Sequence, residues 1–268
     1  MDLGITGKLA LITGAAGEIG AGSARALARD GARLLLSDTD ADGLSSAARD
    51  IASSTGAEVE TALADLTSQE GADSLAEAGS RLGGIDICVH AAGITGAKGD
   101  PLELEDSDYS EAWSIDFMSA VRIARAIVPA MAARGWGRVV YVASENAVQS
   151  YSDEMPYNVA KAALVNFTRG TAQVYAPQGV LINVVSPAFI ETDMTDQMME
   201  KRAQEMSTSV DEAIESFLDE ERPHLVLERR GRPTEVAAVI AFLCSEAASF
   251  VVGSNYRVDG GAVLAMNT

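Results

Sequence analysis

A tyrosine and a lysine stand at positions i and i+4 in the segment 157–161 (YNVAK), within a helical pattern. This spacing places Tyr157 and Lys161 on one face of a helix. A free phenol titrates near pKa ~10, and a neighbouring ammonium group favours the phenolate, so the pair predicts a tyrosine with a lowered pKa that exchanges protons. Ser144 follows an apolar strand upstream. Its hydroxyl is expected to donate a hydrogen bond to the substrate oxygen with which Tyr157 exchanges the proton. We therefore expect a site for general acid and base chemistry at these three residues.

A glycine-rich turn follows the first predicted strand, at residues 13–20 (TGAAGEIG). Glycines permit a tight turn and a close approach of a pyrophosphate, and the helix that follows offers free N–H groups. The turn therefore predicts a dinucleotide site, with a glycine turn that holds no ligand as the alternative. The candidate residues in this turn are Gly14, Gly17, Ile19 and Gly20.

Acidic side chains follow the next two predicted strands. A carboxylate at Asp38 can accept hydrogen bonds from the adenosine ribose hydroxyls and would repel a 2′-phosphate. No Arg or Lys lies in the glycine turn or directly after Asp38, which favours NAD over NADP. Asp65 and its neighbour Leu66 are expected at the adenine, and the equal alternative for Asp65 is a turn residue before the next helix.

The strands and helices that must position these residues are predicted from apolar runs that alternate with segments of helical periodicity. The predicted strands are 8–13, 33–38, 58–64, 85–91, 137–143, 180–186 and 255–258. The predicted helices are 18–30, 41–54, 68–82, 107–134, 155–175 and 234–245, the fourth bent near Pro129. Near-continuously apolar strands are typical of a parallel sheet covered on both faces. We expect an α/β fold: a doubly wound parallel sheet of the Rossmann type, in a single domain over residues 1–268.

One segment interrupts the alternation. Residues 192–228 are polar, acidic and helical in pattern, and they read as an insertion near the C-terminus. An insertion after the sixth strand leaves from the sheet edge where ligands bind, so a substrate lid is one interpretation. A solvated excursion or a subunit contact is the alternative.

Together, these motifs and their order resemble the classical short-chain dehydrogenase/reductase family. The likeness covers nearly the whole chain, with further matches at 90–93 (HAAG), 186–188 (SPA) and 258–261 (VDGG). The resemblance implies hydride transfer between a secondary alcohol or ketone and C4 of the nicotinamide, with Lys161 also bonding the nicotinamide ribose. It implies a homotetramer. It adds to the cofactor site Ala92, Gly93, Pro187, Ile190 and Thr192.

Two residues depart from the family's pattern. Asp116 stands where the catalytic helix usually carries an Asn that holds a water, and we expect it to hold that water with an altered pH optimum. The alternative is that the relay residue lies elsewhere or is absent. Glu18 replaces the middle glycine of the classical turn, and we expect its side chain to point outward, since an inward carboxylate would repel the pyrophosphate. The spacing of Gly14, Gly17 and Gly20 instead matches extended members of the family, which are usually longer.

The substrate pocket is expected from residues 93–98, 145–155, 188–190 and the insertion. A moderately apolar secondary alcohol or ketone is a reasonable substrate, but sugars, steroids, acyl thioesters and aromatic alcohols stay open. The candidate substrate residues are Glu145, Tyr151, Ala188 and Phe189.

Composition excludes several other classes. The 268 residues carry 39 acids against 20 bases, a formal net charge of −19, which argues against nucleic acid and an anionic membrane surface as partners. Cys88 and Cys244 lie in apolar runs and are expected as buried thiols of a reducing compartment. The sequence shows no signal peptide, no membrane span and no metal-ligand spacing, so we expect a cytoplasmic protein without a metal.

Three functions are compatible with the sequence. The sequence favours an NAD-dependent oxidoreductase that acts on a CH–OH group. A catalytically silent dinucleotide-binding sensor or scaffold is the second, although such a protein should have lost Ser144, Tyr157 or Lys161. An extended-type epimerase or dehydratase is the third, and the chain's length disfavours it.

Overall fold

The structure is a computed structural model that describes residues 3–265. Its strands are β1 (Leu9–Thr13), β2 (Arg33–Asp38), β3 (Val59–Leu63), β4 (Ile87–His90), β5 (Gly137–Val142), β6 (Val180–Pro187) and β7 (Asn255–Val258). Its α-helices are α1 (Glu18–Arg29), α2 (Ala41–Thr55), α3 (Gln69–Arg81), α4 (Asp106–Ala112), α5 (Ser119–Ala133), α6 (Met155–Tyr175), α7 (Asp193–Met206), α8 (Val210–Glu221) and α9 (Pro233–Leu243).

The strands form one parallel sheet in the order β3-β2-β1-β4-β5-β6-β7. The chain winds outward from β1 to β3 and then returns to place β4 on the other side of β1. Ligands of open α/β sheets bind at the carboxyl ends of the strands beside such a reversal. The predicted doubly wound fold is confirmed, and the glycine turn after β1 lies at this point.

Apolar layers cover both faces of the sheet, as the strand sequences predict. Every residue of β1 and of β5 is buried. Residues of α1, α2 and α9 pack into one core, and residues of α3, α5 and α6 into the other. Burial on both faces explains why these strands are apolar throughout rather than alternating.

The helix predicted over 107–134 is interrupted at a different point from the one expected. A π-helical turn, Trp113–Met118, joins α4 to α5, and α5 continues through Pro129 to Ala133. The helix is not interrupted at Pro129, and the bend expected there stays a prediction. π turns of this kind are frequent at functional sites, and this one carries Asp116.

Helices α7 and α8 occupy most of the predicted insertion. They share a small core of their own with the loops beside the sheet, consisting of Phe189, Met199, Phe217, Leu225 and Ala262. This core is separate from the two cores that cover the sheet. Across the described chain, no helix combines the length and the apolar character needed to cross a bilayer.

Candidate active site

Four polar side chains converge from β5, α6 and the π turn. Ser144 lies just beyond β5, and Tyr157 and Lys161 lie in the first turns of α6. The Lys161 Nζ is 3.2 Å from Asp116 Oδ1, donates a hydrogen bond to the Val142 carbonyl at 3.2 Å, and lies 5.4 Å from the centre of the Tyr157 ring. The structure thus brings together the catalytic residues that the sequence predicts.

Asp116 is completely buried beside Lys161. Its Oδ1 also accepts a hydrogen bond from the Ile94 backbone N–H at 3.0 Å, whereas Oδ2 has no hydrogen-bond partner within residues 3–265. Burial raises the pKa of Asp116, and the Lys161 charge and the Ile94 N–H oppose that rise. The Asp116 carboxylate therefore offsets the positive charge of Lys161, the charge that the sequence predicts to lower the pKa of Tyr157.

The expectation of a lowered pKa at Tyr157 was wrong for this arrangement. Burial of the phenol raises its pKa, and the negative charges of Asp116 and Glu145 raise it further, while a hydrogen bond with Ser144 opposes them. Two carboxylates beside the phenol disfavour a phenolate, and sequence spacing showed only the lysine. At neutral pH Tyr157 consequently holds its proton.

The Ser144 hydroxyl is engaged by its sequence neighbours. Its Oγ lies 2.9 Å from Glu145 Oε2 and 2.9 Å from Asn146 Oδ1, and it accepts a hydrogen bond from the Asn146 backbone N–H at 3.2 Å. A hydroxyl has one proton, so it donates to only one of the two acceptors at a time.

A buried charge network surrounds these residues, and sequence analysis missed most of it. Arg222, which follows α8, lies 3.7 Å from Glu145 Oε1 and 3.5 Å from Glu154 Oε1. Glu154 also accepts hydrogen bonds from Lys98 Nζ and from the Asn146 amide, each at 2.6 Å. No sequence spacing links the insertion to the segment after β5, so only folding reveals the partners.

The two acids of this network have opposite net pKa shifts, although burial acts to raise the pKa of both. It raises the pKa of Glu145 to about 7, although the charge of Arg222 and the Ser144 hydrogen bond oppose the rise. At Glu154 burial also acts to raise the pKa, but Lys98 and Arg222 outweigh it and leave the pKa below its usual value.

The other predicted substrate residues lie in different surroundings. The Arg222 guanidinium stacks on the Tyr151 ring, 3.5 Å from its centre, which keeps Tyr151 beside the charge network. Phe189 is instead buried against Phe217, with ring centres 4.7 Å apart, in the core of α7 and α8. Ala188 is half-buried and joins β7 through a backbone hydrogen bond to Val258.

The glycine turn fits a dinucleotide in a specific way. A Cβ at Gly20 would lie 2.1 Å from the Gly14 carbonyl oxygen, and one at Gly14 would lie 2.6 Å from the Ala92 nitrogen. Those two glycines are therefore required by protein packing. At Gly17, which begins α1, the nearest atom to a Cβ is 3.6 Å away, so packing leaves room there that a phosphate at the helix end would use. Ile19 is half-buried against the core of this face.

Asp38 ends β2 and holds the glycine turn in place. Its Oδ2 accepts a hydrogen bond from the Ala16 N–H at 3.0 Å, and Oδ1 accepts from the N–H groups of Thr39 and Asp40. Among the described residues, no cation forms an ion pair with Asp38. Its carboxylate therefore lies at the turn without a compensating positive charge.

Asp65 is exposed and forms a turn before α3. Its carboxylate accepts hydrogen bonds from Thr67, which hold the pKa of Asp65 below its usual value. Ser68, not Asp65, caps the helix, and Leu66 is buried in the core. These contacts support the interpretation of Asp65 as a turn residue, and its role at the adenine stays a prediction.

The remaining predicted cofactor residues line the ends of β4 and β6. A Cβ at Gly93 would lie 2.6 Å from Asp116 Oδ1 and 3.1 Å from Lys161 Nζ, so only glycine fits beside the ion pair. Its neighbour Ala92 is half-buried. Pro187 ends β6, Ile190 is buried and pairs with Gly231, and Thr192 caps α7.

Glu18 does not point freely into solvent. Its Oε1 accepts a hydrogen bond from the backbone N–H of Asp193, at 3.0 Å. The carboxylate is drawn to the start of α7, which agrees with a side chain directed away from the turn but adds an unforeseen partner.

The histidines and cysteines do not enter the site chemistry. His90 joins Thr13 at 2.8 Å and Ser119 at 2.9 Å, and burial together with the charge of Lys161 lowers its pKa to about 3, so it is a neutral structural link. His224 is exposed. Cys88 and Cys244 are free and buried, as expected.

Comparisons with known proteins agree with this geometry. A family model described as enoyl-(acyl carrier protein) reductase matches residues 14–263. A 3-oxoacyl-(acyl-carrier-protein) reductase of Aquifex aeolicus is 32% identical over 264 residues, 97% of this chain and 99% of that protein. A galactitol 2-dehydrogenase (L-tagatose-forming) of Cereibacter sphaeroides is 32% identical over 259 residues, 96% of this chain and 95% of that protein. The crystal structure of L-sorbose reductase from Gluconobacter frateurii, complexed with NADPH and L-sorbose, superimposes with a TM-score of 0.94 at 35% identity, covering 99% of this chain and all of that one (100%).

Proposed function

The chain belongs to the short-chain dehydrogenase/reductase family of NAD(P)-dependent oxidoreductases, and we propose that it interconverts a secondary alcohol and a ketone with Tyr157 as acid and base. The observation that carries this proposal is the convergence of Ser144, Tyr157 and Lys161 at the carboxyl edge of the sheet. When bound, the nicotinamide supplies the hydride for reduction or accepts it in oxidation.

In the reductive direction Tyr157 donates its proton to the carbonyl oxygen, and Ser144 donates a hydrogen bond to the same oxygen. The phenolate that remains is stabilised by the Lys161 ammonium group, which Asp116 and the Val142 carbonyl orient. Burial and the neighbouring carboxylates raise the pKa of Tyr157, which favours the protonated phenol that reduction requires. Oxidation reverses these transfers and requires the phenol to lose its proton first.

We propose NAD as the cofactor. Gly17 leaves space at the start of α1 for a pyrophosphate, and the uncompensated carboxylate of Asp38 suits ribose hydroxyls better than a 2′-phosphate. The NADPH in the L-sorbose reductase structure favours NADP as the alternative. The charge at position 38 is the feature that should decide between them.

Absorbance at 340 nm tests the reaction and the cofactor together. NADH and NADPH would each be supplied with a panel of ketones, for wild-type protein and for Tyr157→Phe. We expect turnover with NADH, and a loss of about 10²-fold or more in Tyr157→Phe, the range that general acid catalysis contributes. Tyr175→Phe, on the same helix and outside the site, is the matched control.

Four results would contradict parts of this proposal. A preference for NADPH would overturn the Asp38 argument and leave the chemistry in place. Full activity in Tyr157→Phe would exclude its acid role. Cofactor binding without turnover of any ketone or alcohol would favour the silent sensor or scaffold, and turnover of a sugar nucleotide without net change of NADH would favour an epimerase.

We also propose that the insertion, residues 192–228, is a lid on the substrate side of a single domain. The bond from Asp193 to Glu18 and the contact of Arg222 with Glu145 support this role, because they tie both ends of the α7–α8 pair to the site. We expect hydrogen exchange in α7 and α8 to slow when cofactor and ketone bind together. Light scattering would test the homotetramer that the family resemblance implies.

A further inference from the structure

The Ser144 hydroxyl that should serve the substrate oxygen is directed at Glu145. The carboxylate Oε2 lies 2.9 Å from Ser144 Oγ, and Glu145 immediately follows Ser144 in the chain. When Glu145 is ionised, this bond has a charged acceptor and is stronger than a bond to a neutral acceptor. To donate to a carbonyl oxygen, Ser144 must therefore give up a favourable bond.

Glu145 itself has few partners for a buried acid. Only 3% of the residue is exposed, and its nearest cation, Arg222, is 3.7 Å away. The Arg222 Nε makes no hydrogen bond within the described chain. A buried carboxylate is stabilised by hydrogen-bond donors, so Glu145 has both the capacity and the electrostatic reason to accept another one.

A substrate with a hydroxyl beside its carbonyl supplies that donor. In an α-hydroxy ketone the two oxygens lie about one hydrogen-bond length apart, which matches the separation of Ser144 Oγ and Glu145 Oε2. The substrate hydroxyl can donate to Glu145, and the Ser144 proton is then free to turn to the carbonyl oxygen. A plain ketone offers no replacement donor and leaves Ser144 competing with Glu145.

We propose that Glu145 is a specificity-determining residue that selects α-hydroxy ketones in reduction and vicinal diols in oxidation. This inference rests on the proposed function. The reaction balances as before: the ketone carbon receives the hydride, its oxygen receives the Tyr157 proton, and the neighbouring hydroxyl keeps its own proton while donating to Glu145.

The surroundings of Glu145 suit a hydroxylated substrate. Arg222, which contacts Glu145, also lines a cleft of about 260 Å³ together with Glu154, and the other residues of this cleft include Lys98, Asp153, Arg202, Met198, Met199 and Phe217. Polar groups on further carbons of a polyol or ketose would find partners in this cleft. An apolar substrate chain would instead remove the charged side chains of the cleft from water without offering them hydrogen-bond partners.

A matched pair of ketones tests the proposal. 3-Hydroxy-2-butanone and 2-butanone share a carbon skeleton and differ by the α-hydroxyl, and kcat/KM is measured for each with the preferred reduced cofactor. We expect wild-type protein to favour the hydroxy ketone by about 100-fold, since a site built to bind a hydroxyl discriminates strongly against an analogue without it. In Glu145→Gln we expect this ratio to fall by about tenfold.

The ratio of kcat/KM for the two ketones distinguishes a loss of substrate recognition from a structural defect. A purely structural defect in Glu145→Gln would lower kcat/KM for both ketones alike and leave their ratio unchanged. Glu77→Gln, an exposed acid on α3, removes the same charge and should keep the wild-type ratio.

Equal kcat/KM for the two ketones, or an unchanged ratio in Glu145→Gln, would overturn the inference while the proposed function stands. Failure to reduce any ketone of the panel with either cofactor would overturn the proposed function, and the inference with it.

Discussion

The carboxylate of Glu18 accepts a hydrogen bond from the backbone N–H of Asp193 at 3.0 Å, which joins the glycine turn directly to the first residue of α7. The two residues are far apart in the sequence, yet this contact places the start of the insertion beside the nucleotide turn. It also fixes a negative charge near the N-terminus of α1, where a pyrophosphate is expected.

Removing that charge should strengthen nucleotide binding. In Glu18→Gln we expect the Kd for NAD to fall by about three- to fivefold, because the repulsion from one nearby carboxylate at the helix end is lost. Isothermal titration calorimetry measures the change. Glu70→Gln, in the first turn of α3, is the matched control. An unchanged or raised Kd in Glu18→Gln would show that the carboxylate does not oppose the ligand.

Two glycines of the same turn should respond differently to alanine. Gly20→Ala places a Cβ 2.1 Å from the Gly14 carbonyl oxygen, so we expect several kcal/mol of destabilisation or failure to fold. In Gly17→Ala the nearest contact is 3.6 Å, and we expect a change of less than about 1 kcal/mol in the free energy of unfolding.

The same Gly17→Ala variant should weaken NAD binding by about tenfold or more, since its methyl group enters the space at the helix end. Urea unfolding and calorimetry measure stability and affinity separately. Gly170→Ala, at an exposed position in α6, is the control and should be slightly stabilising. Unimpaired affinity in Gly17→Ala would place the pyrophosphate elsewhere.

Asp116→Asn should lower the pH at which the rate of alcohol oxidation rises. The negative charge of Asp116 raises the pKa of Tyr157 and neutralises part of the Lys161 charge, so its removal favours the phenolate. The check is kcat/KM for the alcohol measured across pH for both proteins. A profile that stays in place would mean that Asp116 does not act on Tyr157.

Glu145 should make stability fall as pH rises. Burial raises its pKa to about 7 from an ordinary value of 4.5, so between those two pH values the folded protein binds more protons than the unfolded chain. We expect the free energy of unfolding of wild type, relative to Glu145→Gln, to fall by up to about 3 kcal/mol between pH 5 and pH 8. Urea titrations at both pH values measure the difference, and a constant difference would contradict the raised pKa.

Most of the fold could be predicted because buried parallel strands are apolar along their whole length. The bounds expected for α6 and β7, 155–175 and 255–258, are the observed ones. Errors of one to a few residues occur where helices and strands end, since local sequence does not fix the last hydrogen bond.

The π turn could not be predicted, because no residue pattern within Trp113–Met118 departs from an ordinary helix. Pro129 gave the only local signal of irregularity, and it lies outside the π turn.

The predicted catalytic residues come together because their spacing along α6 and after β5 is local. Their electrostatics depended on contacts between distant segments. The opposing charges of Asp116 and Glu145 at Tyr157, and the approach of Arg222 from α8, depend on how loops close over the sheet edge. That is why the pKa of Tyr157 was predicted with the wrong sign.

The wide turn at Trp113–Met118 also sets the angular phase of the helix that contains it. A π turn holds about one residue more than an α-helical turn, so deleting Phe117 or Met118 would leave an ordinary α-helical turn in which Asp116 is displaced by one position, roughly 100° around the helix axis, relative to α5. Asp116 would then leave Lys161 even if both side chains were kept. Insertion and deletion, rather than substitution, are therefore the changes to which this part of the site is most sensitive.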